Sequence, residues 1–209
     1  MRADTLTRML TCKNLLLLII AMSGLLSSCV TSLYPLSDDS KDVVYRPELA
    51  GTWKQSDGNS YIIADGGADS TYAFTMVEVR THDDVSVNDT SYFTGRLVQS
   101  DGYLFLDCVV DLELHGEYQR LGDYTRAGLA PTHFLFHISI GSGGSTVELA
   151  QLQAEPFEKV LKERYPRIRY KMEAESLLLV EPPPALTKLM VQLIKDKADV
   201  WEVSTWIKE

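Results

Sequence analysis

Short apolar runs in which large side chains recur at every second residue constrain this fold more than any other feature of the sequence. The clearest runs are Tyr72, Phe74 and Met76, and Phe134, Phe136, Ile138 and Ile140. A period of two is typical of a strand with one buried face. Turn signals separate these runs, and Ser100-Asp101-Gly102 is typical of a hairpin. The pattern predicts eight or nine short antiparallel strands in a mainly β domain.

The predicted sheet has enough strands to close on itself, and closure removes exposed strand edges. We therefore predict an antiparallel up-and-down barrel or a strongly curled sheet. Its interior is either filled by side chains or open to one small ligand. The residues expected to line that cavity or core are Tyr72, Phe74, Met76, Phe93, Phe134 and Phe136.

Two helices are predicted in the C-terminal third. The first begins near Pro156, which suits a first helical turn, and ends before Pro166. The second runs from Ala185 to Lys197. Its apolar residues fall at helical spacing, namely Leu186, Leu189, Met190, Leu193 and Ile194. We interpret that stripe as a packing face.

The amino terminus has the parts of a secretory signal. A net positive leader precedes a short apolar run from Leu15 to Met22, and small residues follow at Ser27 and Ser28. The apolar run is shorter than the roughly 20 residues of a transmembrane helix. The sequence therefore predicts that residues 1–28 are removed on export.

Leu26-Ser27-Ser28-Cys29 resembles the lipobox of bacterial envelope lipoproteins. The resemblance implies cleavage between Ser28 and Cys29, acyl chains on Cys29, and anchoring to a membrane, since two or three chains hold far more firmly than one. Val30 follows Cys29 where an aspartate would resemble an inner-membrane retention signal, which favours the outer membrane. We expect a lipidated tether over residues 29–46, ordered where Leu33, Tyr34 and Leu36 touch the domain, and one β-rich domain over 47–209.

Gly51-x-Trp53 resembles the opening of the first strand in the lipocalin and calycin families. The resemblance implies that Trp53 caps the base of a barrel and that Gly51 permits a close backbone approach. It also implies a small apolar or amphipathic ligand.

Charge and cysteine content narrow the classes of partner. The chain carries a net charge of −9 and its leader is basic, so the exported part is more acidic still. This argues against nucleic acid as a partner and against electrostatic attraction to anionic lipids, which leaves the anchoring to the acyl chains. After export and acylation only Cys108 is a free thiol, and its apolar neighbours favour a small buried side chain. No internal disulfide is expected.

The sequence contains no complete catalytic or metal-binding motif. His133 and His137 share one face of a strand, but four residues span about 13 Å, too far for one zinc ion. We expect no catalytic residue, metal or cofactor. A less favoured alternative is an envelope hydrolase that uses a base beside His115. The first hypothesis for function is a structural role, in which a predicted loop at residues 111–130 docks onto an envelope partner. The second is a lipocalin-like carrier of a small apolar or amphipathic ligand.

Overall fold

A computed structural model describes residues 30–56, 58, 60–67, 70–82, 85–111, 132–173 and 176–209. The predicted signal segment and Cys29 lie outside these residues. The loop predicted at residues 111–130 also lies outside them, apart from Asp111. Residues 80–82 and 85–87 are described without their side chains.

Twelve strands and two α-helices follow one another along the described part of the chain. The strands are β1 (Val30–Ser32), β2 (Val43–Val44), β3 (Gly51–Gln55), β4 (Ser60–Gly66), β5 (Thr71–His82), β6 (Val85–Ser100), β7 (Tyr103–Val110), β8 (His133–Ile140), β9 (Thr146–Leu152), β10 (Tyr170–Glu173), β11 (Ser176–Leu179) and β12 (Trp201–Lys208). The helices are α1 (Ala154–Arg164) and α2 (Pro183–Lys195). Single 3-10 turns lie at Ser40–Asp42 and Pro47–Leu49.

Eight of the strands close into an antiparallel barrel. Strands β3 to β9 pair each with the next, and β12 closes the ring by pairing with both β9 and β3. Of the two architectures that the sequence allowed, the closed barrel is therefore confirmed. The hairpin turn between β6 and β7 has positive φ at both Asp101 and Gly102, the backbone that the strand twist favours.

A small sheet branches from the side of the barrel. The first two residues of β8 pair with β1, whereas its residues from Phe136 onward pair with β9. Strand β1 also pairs in parallel with β11, and β10 forms the outer edge beyond β11. The apolar runs at residues 177–180 and 200–207 predict two closing strands. Only β12 closes the barrel, because β11 pairs with β1 and β10 instead.

The segment interpreted as a tether is packed along the domain from Val30 onward. Val30 and Leu36 are buried, and β2 pairs with β6 at Val98 and Leu97. Leu33 and Tyr34 are each 43% exposed. The described chain is thus part of the folded unit from its first residue.

Two hydrophobic clusters use opposite faces of the same strands. The inner cluster lies inside the barrel and includes Trp53, Tyr72, Phe93, Leu97, Leu106, Cys108, Phe134, Ile138 and Trp206. The outer cluster lies between the outer face of β6 to β8, the side sheet and the two helices. It includes Val98, Phe105, Leu135, Phe157, Leu161, Leu177, Leu179, Leu186 and Met190.

Both helices form as predicted, and both contribute to the outer cluster. Helix α2 begins at Pro183, two residues earlier than predicted, because proline is tolerated in a first helical turn where its missing N–H has no partner to lose. Its apolar stripe is buried, with Leu186 and Leu193 fully covered. Among the residues that the structure describes, no helix is long and apolar enough to cross a membrane.

Candidate ligand cavity

The barrel encloses a cavity of about 400 Å³. This volume lies within the range of small-molecule sites. Most of the wall is apolar and comes from inward side chains of the barrel strands. The apolar residues of these strands whose side chains line the cavity are Trp53, Ile62, Ala64, Phe74, Met76, Phe93, Leu106, Cys108, Phe136, Ile138, Val147, Leu149 and Trp206.

Polar lining residues gather at one end of the cavity, which we call the mouth. They are Gln55, Ser60, Glu78, Gln151, Glu202 and Ser204. Strand pairing places them there together: Ser60 lies opposite Glu78, and Gln151 lies opposite Glu202. The lining residues include two carboxylates and no Lys or Arg. The described lining of the mouth is therefore polar, and its ionisable side chains are carboxylates.

The opposite end is closed around Trp53. This side chain is 4% exposed, and its indole N–H donates a hydrogen bond to the Leu49 carbonyl over 2.8 Å. The Lys208 ammonium lies 5.2 Å from the centre of the indole ring and donates to the Glu48 carbonyl. Leu49 reaches the cavity from the 3-10 turn before β3. The floor is thus apolar inside and polar beneath.

Gly51 has φ of +135° at the start of β3, a backbone conformation that L side chains rarely adopt. A Cβ atom at this position would lie 2.8 Å from the Lys208 side chain. Glycine therefore permits β3 to approach the last residues of β12, where the floor closes.

Tyr72 ties the segment before β3 to the closed end. Its hydroxyl accepts a hydrogen bond from the Arg46 N–H over 2.7 Å and donates one to the Arg46 carbonyl over 3.1 Å. Burial raises the pKa of the Tyr72 hydroxyl, which keeps the proton that it donates. Its ring is fully buried and stacks between Tyr45 and Phe74.

The six residues predicted to line a cavity or core all lie inside the barrel, but they divide into two groups. Phe74, Met76, Phe93 and Phe136 reach the cavity wall. Tyr72 and Phe134 fill the space around it, and the Phe134 ring meets the Phe93 ring edge-on at a centroid distance of 6.0 Å. The alternation that identified these residues gives a face of the sheet, whereas the height along the barrel decides which of them border the void.

Gly95 on β6 makes room for this aromatic lining, a role that the sequence did not indicate. A Cβ atom there would lie 2.9 Å from the Phe74 ring and 2.9 Å from the Cys108 Cβ. The missing side chain therefore lets the Phe74 ring lie against the backbone of β6. Cys108 itself is 4% exposed, and its thiol lies 3.8 Å from the Phe134 carbonyl.

The sequence also did not indicate a buried carboxylate on the outer face of the barrel. Asp107 is 2% exposed, accepts the Leu36 N–H over 2.7 Å and lies 2.6 Å from His133 Nδ1. The Arg96 side chain lies 3.9 Å from the same carboxylate and donates to the Ser37 carbonyl. This cluster fastens the 36–37 segment to the barrel.

His133 and His137 both point away from the barrel interior. His133 contacts Asp107, whereas His137 lies among the rings of Tyr103, Phe105 and Trp201. Burial lowers the pKa of His137, and the nearby Glu148 opposes that change. Within the described residues, no group of three His, Cys, Asp or Glu side chains could hold a metal ion.

No protein-family model matches the chain, and no curated protein or solved structure shows significant similarity to it.

Proposed function

We propose that this protein binds one small amphipathic molecule inside its barrel and is held at a membrane by acyl chains on Cys29. The observation that supports binding is the cavity of about 400 Å³ with an apolar wall, a closed floor and a polar mouth. Concave apolar sites with a few converging polar groups are the usual form of small-molecule sites. We propose a binding role, without catalysis or a cofactor.

The lining favours a ligand with two different ends. An apolar body gains from contact with Phe74, Met76 and Phe136, which are all partly exposed to the cavity. At the mouth, the carboxylates Glu78 and Glu202 favour a head group that is cationic or donates hydrogen bonds. A fatty acid or a phosphate head would meet negative charge there.

The anchoring half of the proposal is supported by the sequence before the described residues. Leu26-Ser27-Ser28-Cys29 follows a basic and then an apolar segment, as in lipoprotein precursors. Val30 in place of aspartate favours the outer membrane. The alternative of partner docking through residues 111–130 stays a prediction, because residues 112–131 lie outside the described part of the chain.

Binding is tested by titrating the purified protein with a neutral fluorescent apolar probe such as N-phenyl-1-naphthylamine. Met76→Trp puts a larger ring into the cavity, and we expect the Kd for the probe to rise by about tenfold or more. Ile63→Trp is the matched control, since Ile63 is on β4, points outward and is 41% exposed. Equal affinity in wild type and Met76→Trp would mean that the probe does not bind in the barrel.

Anchoring is tested by the intact mass of protein extracted from cell membranes. We expect a chain that begins at Cys29 and carries acyl chains, and we expect Cys29→Ser to leave the membrane fraction. An unmodified Cys29, or unchanged fractionation of Cys29→Ser, would contradict the anchor while leaving the cavity proposal intact.

A further inference from the structure

The sheet begins one residue after the proposed acylation site. Val30 is 3% exposed and pairs with Leu177 of β11. An acylated Cys29 would therefore leave no flexible spacer between the bilayer and the domain. One residue spans about 3.3 Å along a strand, so the part of the domain around β1 would be held at the membrane surface.

Basic residues gather around the edge of the side sheet near β1. Residues 164–173 contain four basic residues and one acidic residue, Glu173 at the end of β10, in a chain with a net charge of −9. The four are Arg164, Arg167, Arg169 and Lys171, and all are exposed. Strand β10 lies two strands from β1, a distance of about 10 Å. This separation is close to the Debye length of roughly 8 Å at physiological ionic strength.

The strand register places two of these cations on one face. Lys171 pairs with Leu178, which pairs with Thr31, and the Val180 N–H bonds to the Arg169 carbonyl. The helices pack on the opposite face, because Leu177 and Leu179 belong to the outer cluster. Arg169 and Lys171 therefore project from the face away from the helices.

Buried contacts fix this edge in place. Glu181 accepts hydrogen bonds from the backbone N–H of Arg169 over 2.6 Å and from its side-chain Nε over 3.3 Å. The Arg169 side chain is nevertheless 67% exposed, since the carboxylate holds only one side of it. Leu33 and Tyr34, which follow β1 directly, are also exposed. Cationic and apolar side chains thus occur together near the start of the fold, as on surfaces that rest at a membrane interface.

We propose that the exposed side chains of Arg167, Arg169, Lys171 and Leu33, here called the basic edge, contact an anionic phospholipid bilayer. This inference rests on the acylation of Cys29 proposed above. The net negative charge of the chain argues against its electrostatic attraction to anionic lipids. A net charge does not, however, describe where the basic side chains lie on the surface. The acyl chains supply attachment. The basic edge orients the domain on the bilayer, because the remaining surface is acidic overall and is repelled by anionic lipids.

The test reconstitutes the mature membrane-extracted protein into vesicles of phosphatidylcholine, with or without phosphatidylglycerol. A water-soluble amine reagent then labels exposed lysines, and mass spectrometry gives the rate at each site. We expect Lys171 to react roughly fivefold more slowly on the anionic vesicles, the effect of about one close lipid charge. Lys188, exposed on α2, is the internal reference and should react equally on both.

Two variants separate local charge from total charge. Arg167→Glu should abolish most of the protection of Lys171, whereas Lys159→Glu, an equal charge change on exposed α1, should preserve it. Equal reaction of Lys171 on both kinds of vesicle would overturn the basic edge, even for a fully acylated protein. An unmodified Cys29 in the intact mass would overturn the anchor. If that unacylated protein also failed to float with the anionic vesicles, the proposed contact between the basic edge and the bilayer would be contradicted as well.

Discussion

The two faces of strands β6 to β8 support different kinds of core. On the outer face, Phe105 and Val98 are fully buried against helices that carry equally buried residues. On the inner face, Leu104 and Phe136 remain partly exposed, and the space beside Phe136 is an open cavity. Protein interiors are normally close-packed. The difference indicates that the outer core is the more closely packed of the two, and we propose that the barrel interior is kept open for a ligand.

Matched truncations should break this comparison if it is wrong. Phe105→Ala removes a fully buried ring and should lower the free energy of unfolding by about 3–5 kcal/mol. Phe136→Ala should cost about 1–2 kcal/mol, since part of its ring already faces the cavity. Urea unfolding measures both. Equal losses would show that the two cores are equally packed.

The Asp107 carboxylate tests how the outer face of the barrel holds the segment that follows β1. Asp107→Ala removes the acceptor of the Leu36 N–H and the partner of His133. We expect a loss of about 1.5–3 kcal/mol, the range for hydrogen bonds to charged groups. Hydrogen exchange should then rise first in residues 36–42. A uniform rise over the whole barrel would instead mean that Asp107 supports the barrel itself.

The fold was predicted from local patterns more completely than the site was. Alternating apolar residues give strands, and helical spacing gives α1 and α2, because each needs only near neighbours along the chain. Closure depends on β12 pairing with β9 and β3, and no local pattern carries that pairing. The β5–β6 hairpin extends to His82 and Val85, beyond the run of Tyr72, Phe74 and Met76. Its outer part was not predicted, because only a few valines alternate with polar residues there.

The site was predicted only as a set of inward faces. Phe74 and Met76 were identified because they alternate with smaller residues. Gln151 and Glu202 were missed because they converge only through strand pairing. Asp107 was missed for a similar reason: its partner Leu36 is 71 residues away. β1 is too short to show a period of two, so it was interpreted as part of a tether.

A smaller effect should follow the protonation of His137 on the outer face. Its pKa is lowered by burial among Tyr103, Phe105 and Trp201, whereas in the unfolded chain it titrates near 6.5. Below pH 6.5 the unfolded chain therefore binds more protons at this site than the native one, and stability falls as the pH falls. His137→Gln should reduce that slope in urea unfolding measured between neutral pH and about pH 6. An unchanged slope would mean that the burial of His137 has no thermodynamic effect.

The smallest expected effect concerns the charge at the mouth. Glu78→Gln with Glu202→Gln should weaken the binding of a long-chain primary amine by roughly two- to fivefold, the effect of partly exposed charge pairs. Binding of the alcohol of equal chain length should not change, and calorimetry can compare the two ligands. Equal losses for amine and alcohol would show that the carboxylates shape the mouth without selecting the head group.

The most direct measurement of the central claim is a crystal structure of the protein with a brominated apolar amine, located by the anomalous signal of bromine. The account predicts one bromine site per chain inside the barrel, in contact with Met76 and Phe136, and its loss in Met76→Trp. Bromine bound only outside the barrel, or a wild-type interior that excludes the ligand at saturating concentration, would contradict it.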